Sequence, residues 1–461
     1  METSQTGKPR LKTLWRLSWP AIIEQILTTM VSYVDTAMVG VLGAAGTAAV
    51  SVNAAPIWLA NGLLMGVGVG YSVQVSNAIG ARDDERARRI IRQGVLAAIV
   101  VGLLGLLIYQ SLAGLIPRWL GAEPEVLPHA VAYLRFYTMA MPFMAAGQIF
   151  SAILRCMGNT KAPLYFNTAA NLLNIMLNFL LIYPTRPAVL FGAQITIPGA
   201  GLGAAGAAIA SATALAVSGT ALLIVGTRQG ERFRVHLREG LRPDGAIIRQ
   251  AVRLGLPSAV ERATINLGQI ATTAVVASLG TVALAANQIA VTAEGLCYLP
   301  AYGISYAGIA LVGQSVGAGS RENARAYGTL AAKLGFVAAI GTASALFLLA
   351  PPLAGLFNSD PRVVEQAALM LRIVAFCEPF FALSIVCSGT LRGAHDVRLP
   401  MVVGLVCMWG IRVPLAPVLV YFAGFGLAGV WLAMDVDLIV RGVLCALRWR
   451  SGKWARMCGL E

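Results

Sequence analysis

Twelve apolar runs of about 20 residues constrain the fold of this chain more than any other feature, because a helix of about that length crosses the hydrocarbon core of a bilayer. The runs lack the alternation of strands and are far longer than barrel strands. We therefore expect an all-α integral membrane protein with twelve transmembrane helices. The predicted spans are 14–41, 48–78, 93–115, 130–154, 164–183, 203–227, 248–277, 284–315, 329–350, 366–390, 400–422 and 426–447.

The charge distribution predicts the topology. Only 12% of the residues are charged, against about 25% in soluble domains. The formal net charge of +14 would suggest a nucleic-acid partner in a soluble protein. Here Lys and Arg collect in alternate connectors, as they do in cytoplasmic loops. We therefore expect a multi-pass protein of the plasma membrane (the bacterial inner membrane), with both termini cytoplasmic, lipids as neighbours and no nucleic-acid partner. Binding of the basic stretches to anionic head groups is compatible with this topology.

An internal repeat divides the chain into two halves. LSWPAIIEQ around Pro20 returns as LGLPSAVER around Pro257, an offset of 237 residues that is held as far as Pro163 and Pro400. Each half has six spans and enters the membrane from the same side, so the expected lobes are related by a pseudo-two-fold axis along the membrane normal. The predicted domains are an N-terminal six-helix lobe at 1–227, a cytoplasmic inter-lobe loop at 228–247, and a C-terminal six-helix lobe with a basic tail at 248–461.

The first span carries two carboxylates, Glu24 and Asp35. A carboxylate in hydrocarbon costs about 2.5–3.5 kcal/mol on insertion scales, so it normally faces a polar cavity or a partner. The two are eleven residues apart, about three helical turns, which puts them on nearly the same side. This arrangement suits a proton or cation pathway. The alternative is that both acids snorkel to opposite interfaces.

Further embedded acids are candidates for coupling or for lining a cavity. Glu261 is the repeat equivalent of Glu24, and both have a structural alternative, which is to bind backbone freed by a nearby proline. Arg412 needs an anionic partner, for which Asp435 and Asp437 are candidates. The candidate coupling or cavity acids are Glu24, Glu261, Glu294 and Glu378.

Three asparagines in the fifth span, Asn171, Asn174 and Asn178, recur at three- and four-residue spacing. This spacing places them on one helical face. Amide oxygens beside a carboxylate are hard ligands suited to a small cation. Polar packing between helices is the alternative interpretation.

Several classes of function lack their motifs in this sequence. There is no GxxxxGK[ST] loop for ATP, and GVGVG at 66–70 follows no predicted strand. His129, His236 and His395 do not have metal-hydrolase spacing, and the seven cysteines form no CxxC pair. We therefore expect neither an enzyme nor a cofactor.

The sequence resembles the multidrug and toxic compound extrusion (MATE) family. The resemblance covers nearly the whole chain and implies a V-shaped pair of six-helix lobes that exchange drugs for cations by alternating access. The segments that resemble the family are VDTAMVGVLG at 34–43, LRCMGNTKAP at 154–163, NLLNIMLNFLLIY at 171–183, GLGAAGAAIAS at 201–211, LGTVALAANQIA at 279–290, ALVGQSVGAG at 310–319 and GKW at 452–454.

The resemblance also implies a cation site in the N-terminal lobe, formed by Asp35, Asn174, Asn178 and Ser211, with Na⁺ at the first three as one possibility. Asn178 stands where one branch of the family has an aspartate. The acid expected in the seventh span would fall near Ile265, where this chain has none. The coupling ion, H⁺ or Na⁺, and a second-lobe site are therefore left open.

Together these observations predict a secondary active efflux transporter that works as a monomer. Its expected substrates are small amphipathic molecules, cationic or polyaromatic, exchanged for H⁺ or Na⁺. The nearest alternative is a flippase for lipids or lipid-linked precursors, which should have a lateral opening and a more basic cavity. A membrane-embedded enzyme should instead have a clustered catalytic pair or metal site, and a channel should have filter loops.

Overall fold

The computed structural model describes residues 7–190, 193–230, 232–235 and 241–460. Its first half contains α1 (Gly7–Gly40), α2 (Gly43–Gly80), α3 (Asp84–Leu112), α4 (Ile116–Trp119), α5 (Leu127–Thr138), α6 (Met141–Cys156), α7 (Lys161–Leu181), β1 (Pro184–Leu190), β2 (Ala193–Ala200) and α8 (Gly203–Thr227). Its second half contains α9 (Gly245–Ala277), α10 (Thr281–Gly295), α11 (Leu299–Gly317), α12 (Arg321–Leu348), α13 (Ala350–Gly355), α14 (Pro361–Ala375), α15 (Glu378–Gly393), α16 (Arg398–Cys407), α17 (Val413–Pro417), α18 (Gly426–Arg450) and α19 (Trp454–Met457).

Each of the twelve predicted spans corresponds to one helical unit, and the units form two six-helix lobes. Within the described residues, six helices are long and apolar enough to cross a membrane, and three bent helix pairs bring the number to nine. The other three units are α1, α9 and α18, with 34, 33 and 25 residues. These three are long enough to span a bilayer, but they carry the embedded charges, including Glu24, Glu261 and Asp437.

The three bent spans have a common cause. The chain turns by 50° between α5 and α6, by 44° between α10 and α11, and by 55° between α14 and α15. In each pair the second helix begins with a proline in its first turn, namely Pro142, Pro300 and Pro379. Proline is tolerated there because that N–H has no helical partner. By contrast, α1 and α9 continue through Pro20 and Pro257.

A β-hairpin follows the fifth span, in the connector between the predicted spans 164–183 and 203–227, where the sequence analysis expected no strand. Strand β1 pairs antiparallel with β2, from Pro184 opposite Ala200 to Leu190 opposite Ala193. The two prolines within β1 weaken any strand signal in the sequence, which explains why the hairpin was not predicted.

The repeat is visible in small structural details. Asp83 and Ser320 are related by the offset of 237. Each caps the third span of its lobe, because its side chain accepts a hydrogen bond from the backbone N–H three residues later. In the eleventh span, Met408–Arg412 and Val418–Phe422 form π-helical turns. A π turn accommodates an extra residue in a helix. Equivalent positions of the two halves therefore need not stay 237 residues apart beyond these turns.

The lobes meet most closely at the end that carries the basic connectors, which we call the basic end. The main contacts between the lobes are α2 with α9 and α1 with α11. The repeat relates α1 to α9 and α2 to α11, so these two contacts are equivalent to each other. A side chain on Gly80 would overlap the carbonyl oxygen of Gln314, and one on Gly317 would overlap that of Asn77. Gly80 and Gly317 are themselves repeat equivalents. Glycine at both positions lets α2 and α11 cross in backbone contact, which closes the cleft at this end.

The described part of the inter-lobe loop docks on α3. Gln93 donates to the carbonyl oxygen of Arg242 at 2.7 Å, and Arg232 donates to Asp84 at 2.7 Å. The hydrogen bond and charge of Arg232 lower the pKa of the Asp84 carboxyl below its ordinary value. The rest of the predicted loop, including His236, lies outside the described residues.

Candidate functional site

A strip of polar side chains joins α1 to α7 inside the N-terminal lobe. Asn167 donates to Glu24 at 2.7 Å, Asn171 to Thr28 at 3.4 Å, and Asn178 to Asp35 at 2.8 Å. The partners in every pair are 143 residues apart, so the two helices run parallel in register. The asparagine face predicted from spacing therefore points at the acidic face of α1.

The structure brings together the four residues that the resemblance assigned to a cation site. Asp35 is half-buried, while Asn174 and Asn178 are 5% and 1% exposed. The orientation of the Asn174 amide is assigned from its neighbours. With its nitrogen toward Asp35 it donates to the two carboxylate oxygens at 2.7 and 2.8 Å, and its oxygen accepts from the Ser211 hydroxyl at 3.1 Å. In the reverse orientation, its nitrogen donates to that hydroxyl at 3.1 Å.

Amides surround the Asp35 carboxylate in the described part of the chain, and its nearest partners include no cationic side chain. This distinguishes it from Glu24 and Glu261, which are each bonded to an arginine. An ion-paired acid is already neutralised, whereas one held by neutral amides can still bind a proton or a metal cation.

A cavity of about 580 Å³ lies between the lobes, within the range of about 300–1,000 Å³ typical of sites for drug-sized ligands. Asp35, Asn174 and Ser211 line its N-terminal wall. The opposite wall includes three tyrosines at four-residue spacing, with Tyr302 and Tyr306 on α11 and Tyr298 at its N-cap. Three of the four residues that the resemblance assigned to a cation site thus face this cavity.

Glu24 also lines this cavity but is held in an ion pair. Its carboxylate is 3% exposed and accepts a hydrogen bond from Arg155 at 2.7 Å. The Arg155 guanidinium also lies 4.5 Å from the centre of the Tyr306 ring, a cation–π contact across the lobe boundary. Glu24 therefore forms a salt bridge between α1 and α6, in place of the contact with proline-freed backbone that was the alternative from the sequence.

Glu261 repeats this arrangement in the C-terminal lobe, where it accepts from Arg392 at 2.7 Å beside a smaller cavity of about 80 Å³. The polar strip is not repeated with it. Gly404 faces Glu261 where the first lobe has Asn167, and the offset places Thr272 at the position of Asp35. Within the described residues, the amide-held carboxylate at Asp35 therefore has no counterpart at the repeat-related position of the C-terminal lobe.

Three other acids cluster inside the C-terminal lobe and are not among the residues that line the main cavity. Glu378 is fully buried, and neither of its carboxylate oxygens has a hydrogen-bond partner in the described part of the chain. Glu294 and Asp435 are its charged neighbours. Arg412 lies 3.9 Å from Asp437, one of the two partners predicted for it.

Sequence reasoning missed several polar residues at this site. Asn167 continues the spacing of the predicted asparagines by four residues, so periodicity alone would have found it. Ser218 donates to the Asn167 side chain at 2.6 Å, a contact that no local pattern signals. Arg262 follows Glu261 directly and was assigned no role from the sequence, yet it lines the main cavity.

Comparison with curated proteins finds relatives along nearly the whole chain. The "Probable multidrug resistance protein NorM" of Thermotoga maritima is 29% identical over 447 residues, covering 96% of this chain and 93% of the relative. The "Uncharacterized transporter YisQ" of Bacillus subtilis is 28% identical, with 97% and 96% covered. The "Multidrug resistance protein PmpM" of Pseudomonas aeruginosa is 27% identical, with 96% and 91% covered.

Solved structures share the fold. A crystal structure of MATE in complex with MaD3S superposes with a TM-score of 0.88 at 22% identity, covering 98% of this chain and 97% of that one. An outward-facing multidrug resistance MATE family transporter gives a TM-score of 0.87 at 22% identity, with both chains fully covered. The MatE family model matches twice, at residues 20–180 and 257–418, once in each half. With both halves matched in the order and spacing of the internal repeat, the chain belongs to the MatE family of multidrug and toxic compound extrusion transporters.

Proposed function

We propose that this protein is a secondary active efflux transporter that exports small amphipathic compounds in exchange for H⁺ or Na⁺. The observation that carries the proposal is the position of Asp35, a half-buried carboxylate on the wall of a drug-sized cavity, held by amides. Names of relatives such as the multidrug resistance protein PmpM support export of toxic compounds.

The Asn174 amide lets the site hold Asp35 in two charge states. When Asp35 is ionised, the Asn174 nitrogen donates to it and the Asn174 oxygen accepts from Ser211. When Asp35 carries a proton or faces Na⁺, the amide turns its oxygen toward Asp35 and its nitrogen donates to the Ser211 hydroxyl. Both orientations keep the Asn174 amide hydrogen-bonded, so a cation is taken up without leaving this amide unsatisfied.

Coupling follows from the shared location of the two ligands. The cation site is part of the cavity wall, so a cation at Asp35 and a substrate in the cavity alter each other's binding. Each ligand shifts the equilibrium between the lobe arrangements only by its differential affinity for them. Exchange results when the cation favours the arrangement that releases substrate.

Sidedness follows from the basic connectors. Because Lys and Arg are retained in cytoplasmic loops, the basic end and both termini are assigned to the cytoplasm of a bacterial cell. The cleft is closed at that end by the crossing of α2 and α11. The conformation described is then outward-facing, ready to release substrate and accept a cation, in a protein that acts as a single chain.

The remaining predicted acids have other roles in this proposal. Glu24 and Glu261 each hold an arginine at the edge of a cavity, and Glu294 and Glu378 lie among the C-terminal helices. Coupling is assigned to Asp35 with Asn174, Asn178 and Ser211. The main cavity contains two acids and two arginines, in contrast to the basic excess expected of a phospholipid flippase.

Flux measurements in proteoliposomes test the proposal. A fluorescent amphipathic dye is loaded on the substrate side, and an inward gradient of H⁺ or of Na⁺ is imposed. Wild-type protein should drive dye export with one of the two gradients, and Asp35→Asn should abolish the gradient-dependent part. Glu378→Gln is the matched control, since it removes a buried carboxylate outside the cavity. Wild-type rates in Asp35→Asn would contradict the assignment, and dye-independent lipid scrambling would favour a flippase.

A further inference from the structure

A separate pocket of about 310 Å³ lies at the basic end of the N-terminal lobe. Arg16 and Leu17 of α1 form one side, and the connector between α6 and α7 forms the other side together with Lys161. Gln229, just beyond α8, completes the wall. We call this space the Arg16–Lys161 pocket. None of its lining residues belongs to the cavity between the lobes, so the transport site does not account for it.

The charge of the Arg16–Lys161 pocket is positive. Both basic side chains are exposed, and the ion pairs within the described part of the chain include neither of them. The residues that line the pocket include no acid. The pocket also lies at the N-terminal end of α7, where the helix dipole favours an anion. A negatively charged group that enters would meet two side-chain cations and no opposing carboxylate.

The pocket wall is held in place by local hydrogen bonds. The Asn159 side chain donates to the Gln229 side-chain oxygen at 3.0 Å and accepts from the backbone N–H of Ala162 at 3.1 Å. These contacts fix the connector before α7 against the end of α8. The opening beside Lys161 is therefore formed by the fold and does not depend on a loose side chain.

Two exposed aromatic residues place this pocket at the depth of lipid head groups. Trp15 precedes Arg16 on α1, and Tyr165 lies one turn beyond Lys161 on α7; they are 51% and 62% exposed. Helices α1 and α7 are parallel with a register of 143 residues, which aligns Arg16 with Asn159. Tryptophan and tyrosine are enriched where a membrane protein meets the head groups. The aromatic and basic residues thus occur together at one level of the lobe.

The internal repeat keeps the two charges but not the open space. The offset of 237 relates the basic pair to Arg253 and Arg398 in the C-terminal lobe. It also places His395 where the first lobe has Gly158, and a side chain on Gly158 would have nothing within 4 Å. The imidazole of the second lobe therefore takes the position that is open in the first.

The second lobe also has an internal anion at this level. Asp396, the equivalent of Asn159, is 1% exposed and accepts from Arg448 at 2.7 Å. A carboxylate of the chain itself thus lies near the basic pair of the C-terminal lobe, whereas the N-terminal lobe has a neutral amide there. Only the N-terminal version combines two basic side chains with an open, acid-free pocket.

We propose that the Arg16–Lys161 pocket binds the head group of an anionic phospholipid. The phosphodiester lies between the two basic side chains, and the acyl chains run along the lobe past Trp15 and Tyr165. Basic pockets between transmembrane helices are sites of this kind. Binding joins the ends of α1 and α7, the two helices that carry the polar strip and Asp35. The inference does not depend on which compound the protein transports.

Native mass spectrometry of the full-length protein in detergent tests this site, with dioleoyl phosphatidylglycerol and dioleoyl phosphatidylcholine as the titrated lipids. Wild-type protein should bind one phosphatidylglycerol about tenfold more tightly than phosphatidylcholine. Each basic residue near an anionic head group contributes about fivefold in affinity. The double variant Arg16→Gln with Lys161→Gln should therefore bind phosphatidylglycerol about twentyfold more weakly and lose the preference.

The repeat supplies the matched control. Arg253→Gln with Arg398→Gln removes the same two charges from the C-terminal lobe and should leave the affinity for phosphatidylglycerol unchanged. Equal losses in the two double variants would show diffuse attraction to the basic end and would overturn the site. Equal affinities of wild-type protein for the two lipids would overturn it as well.

A steric variant and a soluble competitor complete the test. Gly158→Asn places a side chain in the open space without changing the charge, and asparagine tolerates a left-handed backbone, so phosphatidylglycerol binding should weaken. Thermal unfolding without lipid checks that each variant is folded, and the charge variant at two exposed positions decides the test if Gly158→Asn does not fold. Displacement of the lipid by an equal concentration of glycerol 3-phosphate would assign the pocket to a soluble anion and overturn the lipid assignment.

Discussion

Glu24 and Arg155 form a buried ion pair at 2.7 Å, and the second half of the chain reproduces it with Glu261 and Arg392 at the same distance. The partners are 131 residues apart in both halves. Each pair ties the first span of its lobe to the fourth. The repeat therefore preserves a specific contact between helices as well as a pattern of prolines and acids.

Breaking either pair should destabilise the protein. Glu24→Gln leaves the Arg155 guanidinium without its anion, and loss of one partner of a buried pair costs about 3–5 kcal/mol. Replacing both partners with apolar residues, as in Glu24→Leu with Arg155→Met, should recover most of that loss. Thermal unfolding in detergent measures both, with Glu261→Gln as the repeat-related comparison. Single variants as stable as wild type would show that the pair is not stabilising.

The glycine crossing at the basic end should control which conformation dominates. Gly80→Val places a side chain against the backbone of Gln314, and overpacking of this kind costs about 1–3 kcal/mol. Because the strain exists only while α2 and α11 touch, the equilibrium should shift toward the arrangement that separates them, by about fivefold or more. Gly317→Val should act in the same direction through Asn77.

Spin labels at two exposed, repeat-related positions, Arg88 and Arg325, measure this shift. Double electron–electron resonance should give longer distances between the labels in the valine variants than in the parent. Gly341→Ala is the control, since nothing lies within 4 Å of a side chain there. Unchanged distances in both valine variants would rule out the crossing as a conformational contact.

The stability of the protein should fall in mild acid because of His395, which lies in the connector between α15 and α16. Burial, reinforced by Arg253 and Arg86, lowers the pKa of His395 below its ordinary value of 6.5. The unfolded chain then binds a proton that the folded chain resists, so stability is complete above about pH 6.5 and declines as the pH falls below it.

Asparagine is the informative replacement for this histidine. His395 has a left-handed backbone with φ of 64°, a conformation that asparagine tolerates. His395→Asn should show a smaller loss of thermal stability between pH 7.5 and 5.5 than wild type. The same substitution at the exposed His129 is the control and should leave the pH dependence unchanged. Identical pH profiles for His395→Asn and wild type would contradict the assignment.

The sequence predicted the features that arise from local pattern or from the repeat. Run length predicted twelve spans because each helix must cross the same thickness of hydrocarbon. Helical periodicity placed Asp35 on one face of α1 and the asparagines on one face of α7. These two faces meet, with partners at a constant separation of 143 residues, because the first and fifth spans pack parallel to each other.

Contacts between distant segments were less accessible. Nothing local indicates that Glu24 pairs with Arg155, because this contact depends on how the helices pack. The hairpin is obscured by prolines within β1, and the π turns of the eleventh span leave no signal in hydropathy. These features are set by tertiary packing, which local sequence patterns do not reveal.

Glu378 tests whether the second lobe contributes to coupling. It is fully buried without hydrogen-bond partners in the described part of the chain, next to Glu294 and Asp435. Acids this close, with Arg412 as the adjacent cation, cannot all be ionised at a reasonable cost. Glu378→Gln preserves the shape of the side chain and removes its capacity to ionise, so we expect thermal stability within about 1 kcal/mol of wild type or above it.

Gradient-driven export should also survive this substitution, because Asp35 carries the coupling in our proposal and Glu378 lies outside the cavity wall. Dye export in proteoliposomes under the effective cation gradient checks it, with Asp35→Asn as the inactive reference. Glu294→Gln is the neighbouring control and should behave in the same way. If Glu378→Gln instead lost gradient dependence while keeping its stability, a second proton or cation site would lie among these C-terminal helices, and coupling would be shared between the lobes.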